Sequence, residues 1–222
     1  MNLICVTGID GAGKTTLARN MAVALGQQGW PAVYVYGRIY PVISRLLMAL
    51  GRITLLRRDD PRRDYGAYTT SKKRTMCNPL LAWTYTAAVL FDYYIQIWFK
   101  LLHHLFSRRI VVSDRYIYDT VISDLTVHLN YSPAQTERAI ERGLRLLPTP
   151  MLTILIDLPE QVAFSRKADV PHIDYLRERR GWYLSLAARP EVERFDGAGS
   201  PESLLQASLS RINSRLTGGS SP

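Results

Sequence analysis

The chain has 222 residues, of which 47% are hydrophobic and 21% charged, a globular composition that excludes a disordered or fibrous protein. Its length fits one domain or a small pair. A formal net charge of +9 favours anionic partners such as nucleotides, nucleic acid or an acidic membrane surface, although general solubility accounts for part of the excess.

Residues 3–6 read as a short buried strand containing Cys5. Cys5 and Cys77 are the two cysteines, too few for a disulfide framework, so reduced thiols and a cytoplasmic setting are expected. A strand that starts this close to Met1 leaves no room for a leader peptide. After a glycine-rich loop, residues 15–28 read as a helix stopped at Gly29, and 32–36 (AVYVY) as a second strand. Residues 40–50 have a helical pattern. Residues 51–78 then turn polar and basic, with Pro61 and Gly66, and read as an irregular insertion.

The most apolar stretch is 80–106. Its polar residues Thr84, Asp92, Gln96, Lys100 and His104 recur at multiples of four, which puts them on one face of a helix. A membrane span needs roughly 20 predominantly apolar residues. Asp92, Gln96 and Lys100 fall at the centre of this one, and charges there are costly in lipid. The expectation is therefore a helix buried in the core on one side and against a second copy on the other, with peripheral membrane contact as the alternative.

A third strand lies in RIVVSDRY (109–116), followed by helices at 118–129 and 133–146 and a fourth strand at 151–156. Residues 159–167 and 173–188 read as helices joined by a short basic connection, 192–195 as a last strand, and 201–216 as a closing helix before a disordered tail at 217–222. Strands that alternate with helices imply an α/β fold, a parallel sheet covered by helices on both faces, here in one domain over 1–216.

Gly8-Ile-Asp-Gly-Ala-Gly13-Lys14-Thr15 matches G-x-x-x-x-G-K-[ST] and has the required setting, a strand before and a helix after. Gly8, Gly11, Ala12 and Gly13 would bring backbone N–H groups to phosphate oxygens. Lys14 would reach the terminal phosphates, the Thr15 hydroxyl would ligate Mg²⁺, and Thr16 follows on the helix. ATP and Mg²⁺ are the expected ligands. Ile110-Val-Val-Ser-Asp114 is an apolar strand ending in an acid, the pattern of a second metal ligand. A solvated strand-end aspartate, or a salt bridge to Arg115, is the plainer reading of Asp114. The architecture expected is a P-loop NTPase three-layer sandwich with a parallel five-stranded sheet.

There is no Asn-Lys-x-Asp or Leu-Ser-Gly-Gly segment. Instead GIDGAGKTT, VVSDRY, LIDLPEQVAFSRK, YLRERRGWYLSLA and RFDGAGSPESL resemble, in order, motifs of the thymidylate kinase family, covering most of the chain and only patchily between 37 and 108. The resemblance implies an ATP-dependent kinase that adds a second phosphate to dTMP, with a short lid at about 166–174. It implies that Asp10 contacts the acceptor's sugar hydroxyl and that Arg115, beside Tyr116, helps hold the acceptor. It also implies that the loop containing Ala198 packs the adenine. The P-loop carries no arginine, so Arg166 and Lys167 are the candidates to neutralise the transferring group, with Arg177, Arg179 and Arg180 behind them or simply on a solvated helix face.

Two segments differ from the family pattern. Where the family shows Arg-Glu-Pro-Gly-Gly, this chain has Tyr36-Gly37-Arg38-Ile39-Tyr40-Pro41, which leaves Arg38 as a phosphate contact. Where an acid is followed by an arginine, it has Asp92-Tyr93-Tyr94. Arg45, Arg74 or the basic insertion are possible replacements. The acceptor therefore stays open between a nucleoside monophosphate and another small molecule, including a hydroxyl compound that would need a carboxylate base such as Asp10, Asp92 or Asp114. A nucleotide-binding switch that docks to a membrane or protein through 51–78 or 80–106 is the rival from another class. Nucleic-acid binding draws on net charge alone and ranks last.

Overall fold

Residues 2–40, 42–43, 78–105, 107, 109–167 and 170–218 are described by the computed structural model. The apolar runs become strands β1 (Asn2–Gly8), β2 (Ala32–Tyr36), β3 (Ile110–Asp114), β4 (Leu152–Asp157) and β5 (Val192–Asp196). Among the described residues these form a single sheet in the order β2-β3-β1-β4-β5, with every neighbouring pair parallel. All of β3 and β4, and β1 from Leu3 onward, are buried. Successive strand residues point to opposite faces, so burial of both sets means that both faces of the sheet are covered.

The helices are α1 (Lys14–Gln27), α2 (Pro79–Leu105), a composite α3, α4 (Pro133–Arg145), α5 (Glu160–Arg166), α6 (Ile173–Ser185) and α7 (Pro201–Gly218). α1 packs on β2, β3 and α7, while α6 packs on β1 and β4. This is the expected α/β fold, consistent with a P-loop NTPase of thymidylate kinase-like architecture.

Several expectations shift. Residues 118–129 are not one regular helix: α3 opens at Ile117–Thr120, widens to a π-helix over Val121–Thr126 and closes at Val127–Leu129. Side chains draw on a carbonyl within the wide turn, since the Tyr85 hydroxyl and His128 Nδ1 each lie 3.1 Å from the Asp124 carbonyl oxygen. Periodicity alone does not reveal such a turn. α6 ends in a 3₁₀ turn at Leu186–Ala188, and α7 extends through Thr217 and Gly218, which were expected in the tail. The expected 40–50 helix falls almost wholly outside the described residues, as do insertion residues 51–77 with Cys77 and Arg74, lid residues 168–169, and 219–222. Cys5 is buried and free.

α2 sends its polar line against the chain that follows β2. Asp92 accepts from the backbone N–H groups of Val42 and Ile43 at 3.1 and 3.2 Å. Gln96 both accepts from Tyr40 N and donates to Tyr40 O, at 2.9 and 2.7 Å, and Lys100 Nζ donates to the carbonyls of Tyr36 and Arg38 at 2.7 and 2.8 Å. Three side chains one turn apart thus satisfy backbone groups of Tyr36, Arg38, Tyr40, Val42 and Ile43. Tyr93, Ile97 and Leu101 enter the core, whereas Trp83, Phe91 and Phe99 stay exposed on the face expected to meet a second copy or a membrane. No helix among the described residues is long and apolar enough to cross a membrane.

The same segment enters the site through a close approach at Gly37. Its N–H donates to Asp114 O at 2.9 Å, and a Cβ there would lie 2.0 Å from Arg115 O and 2.5 Å from Ser113 Oγ. Gly37→Ala is expected to destabilise the fold by about 2–3 kcal/mol, as overpacking against backbone does, read as a lowered urea midpoint. An unchanged midpoint would show that the segment moves aside freely.

Candidate active site

The register of the sheet assembles the site. β1 and β3 are neighbours with Val6 opposite Asp114, so the glycine loop leaves β1 at the level where β3 ends. Ligands gather at this carboxyl edge in open α/β sheets. The loop turns through Gly11 and Gly13 at φ 88° and 87°, and α5 approaches so closely that a Cβ on Gly11 would lie 2.4 Å from Ala163 O. Only glycine meets both conditions there.

Lys14 is 3% exposed, and its Nζ donates to the carbonyls of Gly8 and Ile9 at 2.8 and 2.7 Å. Burial, reinforced by Arg115 and partly offset by Asp10, Asp119 and Asp114, brings its pKa down to about 8. Thr15 Oγ1 donates to Asp114 Oδ2 at 2.6 Å, bridging two residues 99 positions apart, and the Tyr34 hydroxyl donates to the same oxygen at 3.1 Å. Asp114 Oδ1 is buried with no hydrogen-bond partner. An orphaned carboxylate oxygen beside a threonine hydroxyl is a hard-oxygen donor set that fits Mg²⁺, an ion that completes its shell with water and phosphate oxygens. No cluster of three or more His, Cys, Asp or Glu occurs among the described residues, and such an ion needs none.

Asp10 sits among cations. Arg115 Nη2 donates to its Oδ1 at 2.8 Å, Lys14 and Lys167 bring their Nζ atoms to 3.8 and 3.9 Å, and the Tyr175 hydroxyl lies 3.3 Å from Oδ2. Burial works to raise the Asp10 pKa, but Lys14, Arg115 and Lys167 together outweigh it and hold the carboxyl well below the usual range. Arg115 itself has φ 75°, a left-handed conformation rare outside glycine that costs on the order of 1–3 kcal/mol. Its N–H bonds Val6 O at 2.9 Å, Ser113 Oγ donates to its carbonyl at 2.6 Å, and its buried Nε has no hydrogen-bond partner. Arg38 pairs with Asp124 at 3.3 Å.

On the far side of the loop, a cleft of about 280 Å³ is lined by Gly11, Thr16, Asn20, Arg166, Gly197 and Gly199, among others. Arg166 therefore borders the loop, and Ala198 lies between the two lining glycines with its N–H on Asp196 at 2.9 Å.

The expected residues are thus largely brought together: Lys14, Thr15, Asp114, Asp10, Arg115 and Lys167 around the loop, Arg166 at the cleft. Asp92 is engaged instead with the Val42 and Ile43 amides. Tyr116, expected beside the acceptor, lies in the core. It is fully buried, with its hydroxyl donating to Pro148 O at 2.9 Å. Arg177 and Arg180 pair with Glu160, and Arg180 also pairs with Asp157, while the buried Arg179 stacks on Tyr175 at 3.6 Å. Tyr34 and Asp124 had no signal in the sequence, and Tyr175 lay in the YLRERRGWYLSLA segment with no role of its own. Their places depend on strand order, on the packing of α6 and on the π-turn.

No protein-family model matches the chain. The glycine loop and the all-parallel sheet are consistent with a P-loop NTPase of thymidylate kinase-like fold. Among curated proteins, the probable thymidylate kinase of Metallosphaera sedula is 27% identical over 231 residues, a match that covers the whole of this chain and 97% of the relative. That is a weak thymidylate kinase-like relationship, and it supports a nucleotide kinase-like function.

The buried Lys14 carries a pH signature. An unfolded lysine binds its proton up to about pH 10.5 and the folded one only to about 8, so between these values the unfolded chain holds more protons and stability rises with pH. The stability of the native chain relative to Lys14→Met should therefore climb from pH 8 to pH 10, by at most about 3 kcal/mol. Parallel urea midpoints across that window would contradict the burial of a charged lysine.

Proposed function

We propose that this protein transfers the γ-phosphoryl group of ATP to a nucleoside monophosphate, dTMP or a close analogue, at the edge formed by β1 and β3. The observation that carries the reading is the position of Asp10, with Lys14, Lys167 and Arg115 around it. Three cations about one carboxylate leave an excess of positive charge where a donor phosphate and an acceptor phosphate would meet. Phosphoryl transfer needs such positioning and neutralisation more than covalent help.

In this reading the amides of Gly11, Ala12, Gly13, Lys14 and Thr15 hold the β- and γ-phosphates, and Lys14 turns from the carbonyls of Gly8 and Ile9 onto them. Thr15 and Asp114 would hold Mg²⁺, which supplies charge neutralisation to the phosphates when bound. Arg115, with its unpartnered Nε, and Arg38 orient the acceptor phosphate, and Asp10 accepts from a hydroxyl of the acceptor. An anionic acceptor oxygen attacks the γ-phosphorus, the bond from that phosphorus to the β–γ bridging oxygen breaks, and ADP departs with no proton to be moved. Arg166 and Lys167 neutralise the group in transit. The cleft by Arg166, Gly197 and Gly199 takes the adenine.

A hydroxyl acceptor fits less well. Such chemistry wants a carboxylate that takes a proton readily. The cations around Asp10 make it a poor base, and both oxygens of Asp92 are occupied by backbone amides.

ADP release measured with MgATP against a panel of nucleoside monophosphates and nucleosides tests the proposal. Release is expected to depend on one class of monophosphate, with Lys14→Ala losing at least about 10²-fold in kcat while keeping the native fold by circular dichroism. Release that is slow and indifferent to every acceptor would favour a nucleotide-binding switch, and release driven by a nucleoside would reassign the acceptor.

A further inference from the structure

Asp119 lies outside every motif discussed so far, yet it is 1% exposed and sits where three parts of the fold meet. Its Oδ2 accepts from Thr7 Oγ1 on β1 at 3.0 Å and from the backbone N–H of Tyr116 at 3.1 Å. Its Oδ1 accepts from the Tyr183 hydroxyl on α6 at 2.9 Å. Tyr183 is in turn within 3.3 Å of Ser123 Oγ, which is free to donate because the Tyr183 proton is committed to Asp119. An aspartate this deep is costly unless its charge is compensated. Three donors engage it; burial pushes its pKa up, and Arg115, Lys14 and the hydrogen bonds from the Tyr116 amide and Tyr183 offset part of that rise.

The Tyr116 amide is the nitrogen that follows Arg115, the residue in the left-handed turn. A strained backbone persists only where its surroundings over-determine it. Val6 O fixes the amide before the strained Cα, and Ser113 Oγ fixes the carbonyl after it. Asp119 fixes the next amide and ties it to β1 and α6 at once. We propose that Asp119 is a positioning residue: it locks the turn that aims Arg115 at Asp10, and through Tyr183 it ties that aim to the helix carrying Tyr175. The inference rests on the reading that Arg115 faces the acceptor, but the lock itself can be read without any substrate.

Two measurements test it. In hydrogen exchange on the free protein, Asp119→Ala is expected to lose protection in a peptide covering 114–120 while one covering 152–157 keeps it. Equal protection of the turn in wild type and variant would overturn the lock. In kinetics with the acceptor found by the panel, the isosteric Asp119→Asn is expected to raise the acceptor KM on the order of 10-fold or more, with the ATP KM within about 2-fold and Tyr183→Phe giving part of the effect. A merely structural role would lower kcat through lost folded protein and leave both KM values in place, and that result overturns the assignment. A wild-type protein that turns over no acceptor overturns the kinase reading, and the exchange measurement then decides the lock alone.

Discussion

The site depends on one register. Val6 lies opposite Asp114, and the chain has two residues of β1 left before the glycine loop begins. That offset lets Thr15, the second residue of α1, reach an aspartate at the end of a strand nearly a hundred positions away. A one-residue slip would turn every side chain of β3 to the opposite face and carry Asp114 with it. Because both faces of β1 and β3 are covered, the cost of such a slip is the repacking of their side chains against close-packed neighbours, so the same apolar residues that build the core also hold the geometry at its edge.

Of the charges at that edge the buried ones oppose one another, and the more exposed Lys167 adds the excess of positive charge at Asp10. Lys14 and Asp119 are almost fully buried, and Asp10 and Arg115 are mostly so. Each ion in this set is opposed by another within the set, which is how groups of this kind survive removal from water. The net +9 of the sequence therefore says little about the site, where the local arrangement decides which oxygen is left for a ligand.

The segment after β2 is the second support. Lys100, Gln96 and Asp92 hold the backbone of Tyr36, Arg38, Tyr40, Val42 and Ile43, and Gly37 passes close to Arg115 O. Arg38 is thereby delivered to Asp124 on the π-turn of α3. A stretch that looks like a departure from a known motif is in this chain a backbone clamped by polar residues of α2. In the sequence, those residues stood out as a polar line on an apolar helix, with Asp92 also a candidate near the acceptor.

The sequence alone determined the strand and helix order, the glycine loop with Lys14 and Thr15, the terminal Asp114 and the Asp10–Arg115 candidates, because these depend on local periodicity and on spacing within short segments. Element ends fell within a residue or two for the same reason. Tertiary structure alone decided what touches what across the sheet: Tyr34 on Asp114, Tyr175 and Lys167 on Asp10, Tyr116 turned into the core, the π-turn in α3, and Asp119 beneath Arg115. The contacts of Tyr34, Tyr175 and Lys167 join residues from 80 to 165 positions apart, the turn before Tyr116 and Asp119 has one unusual φ angle, and the π-turn meets a side chain of α2, none of which a local pattern encodes.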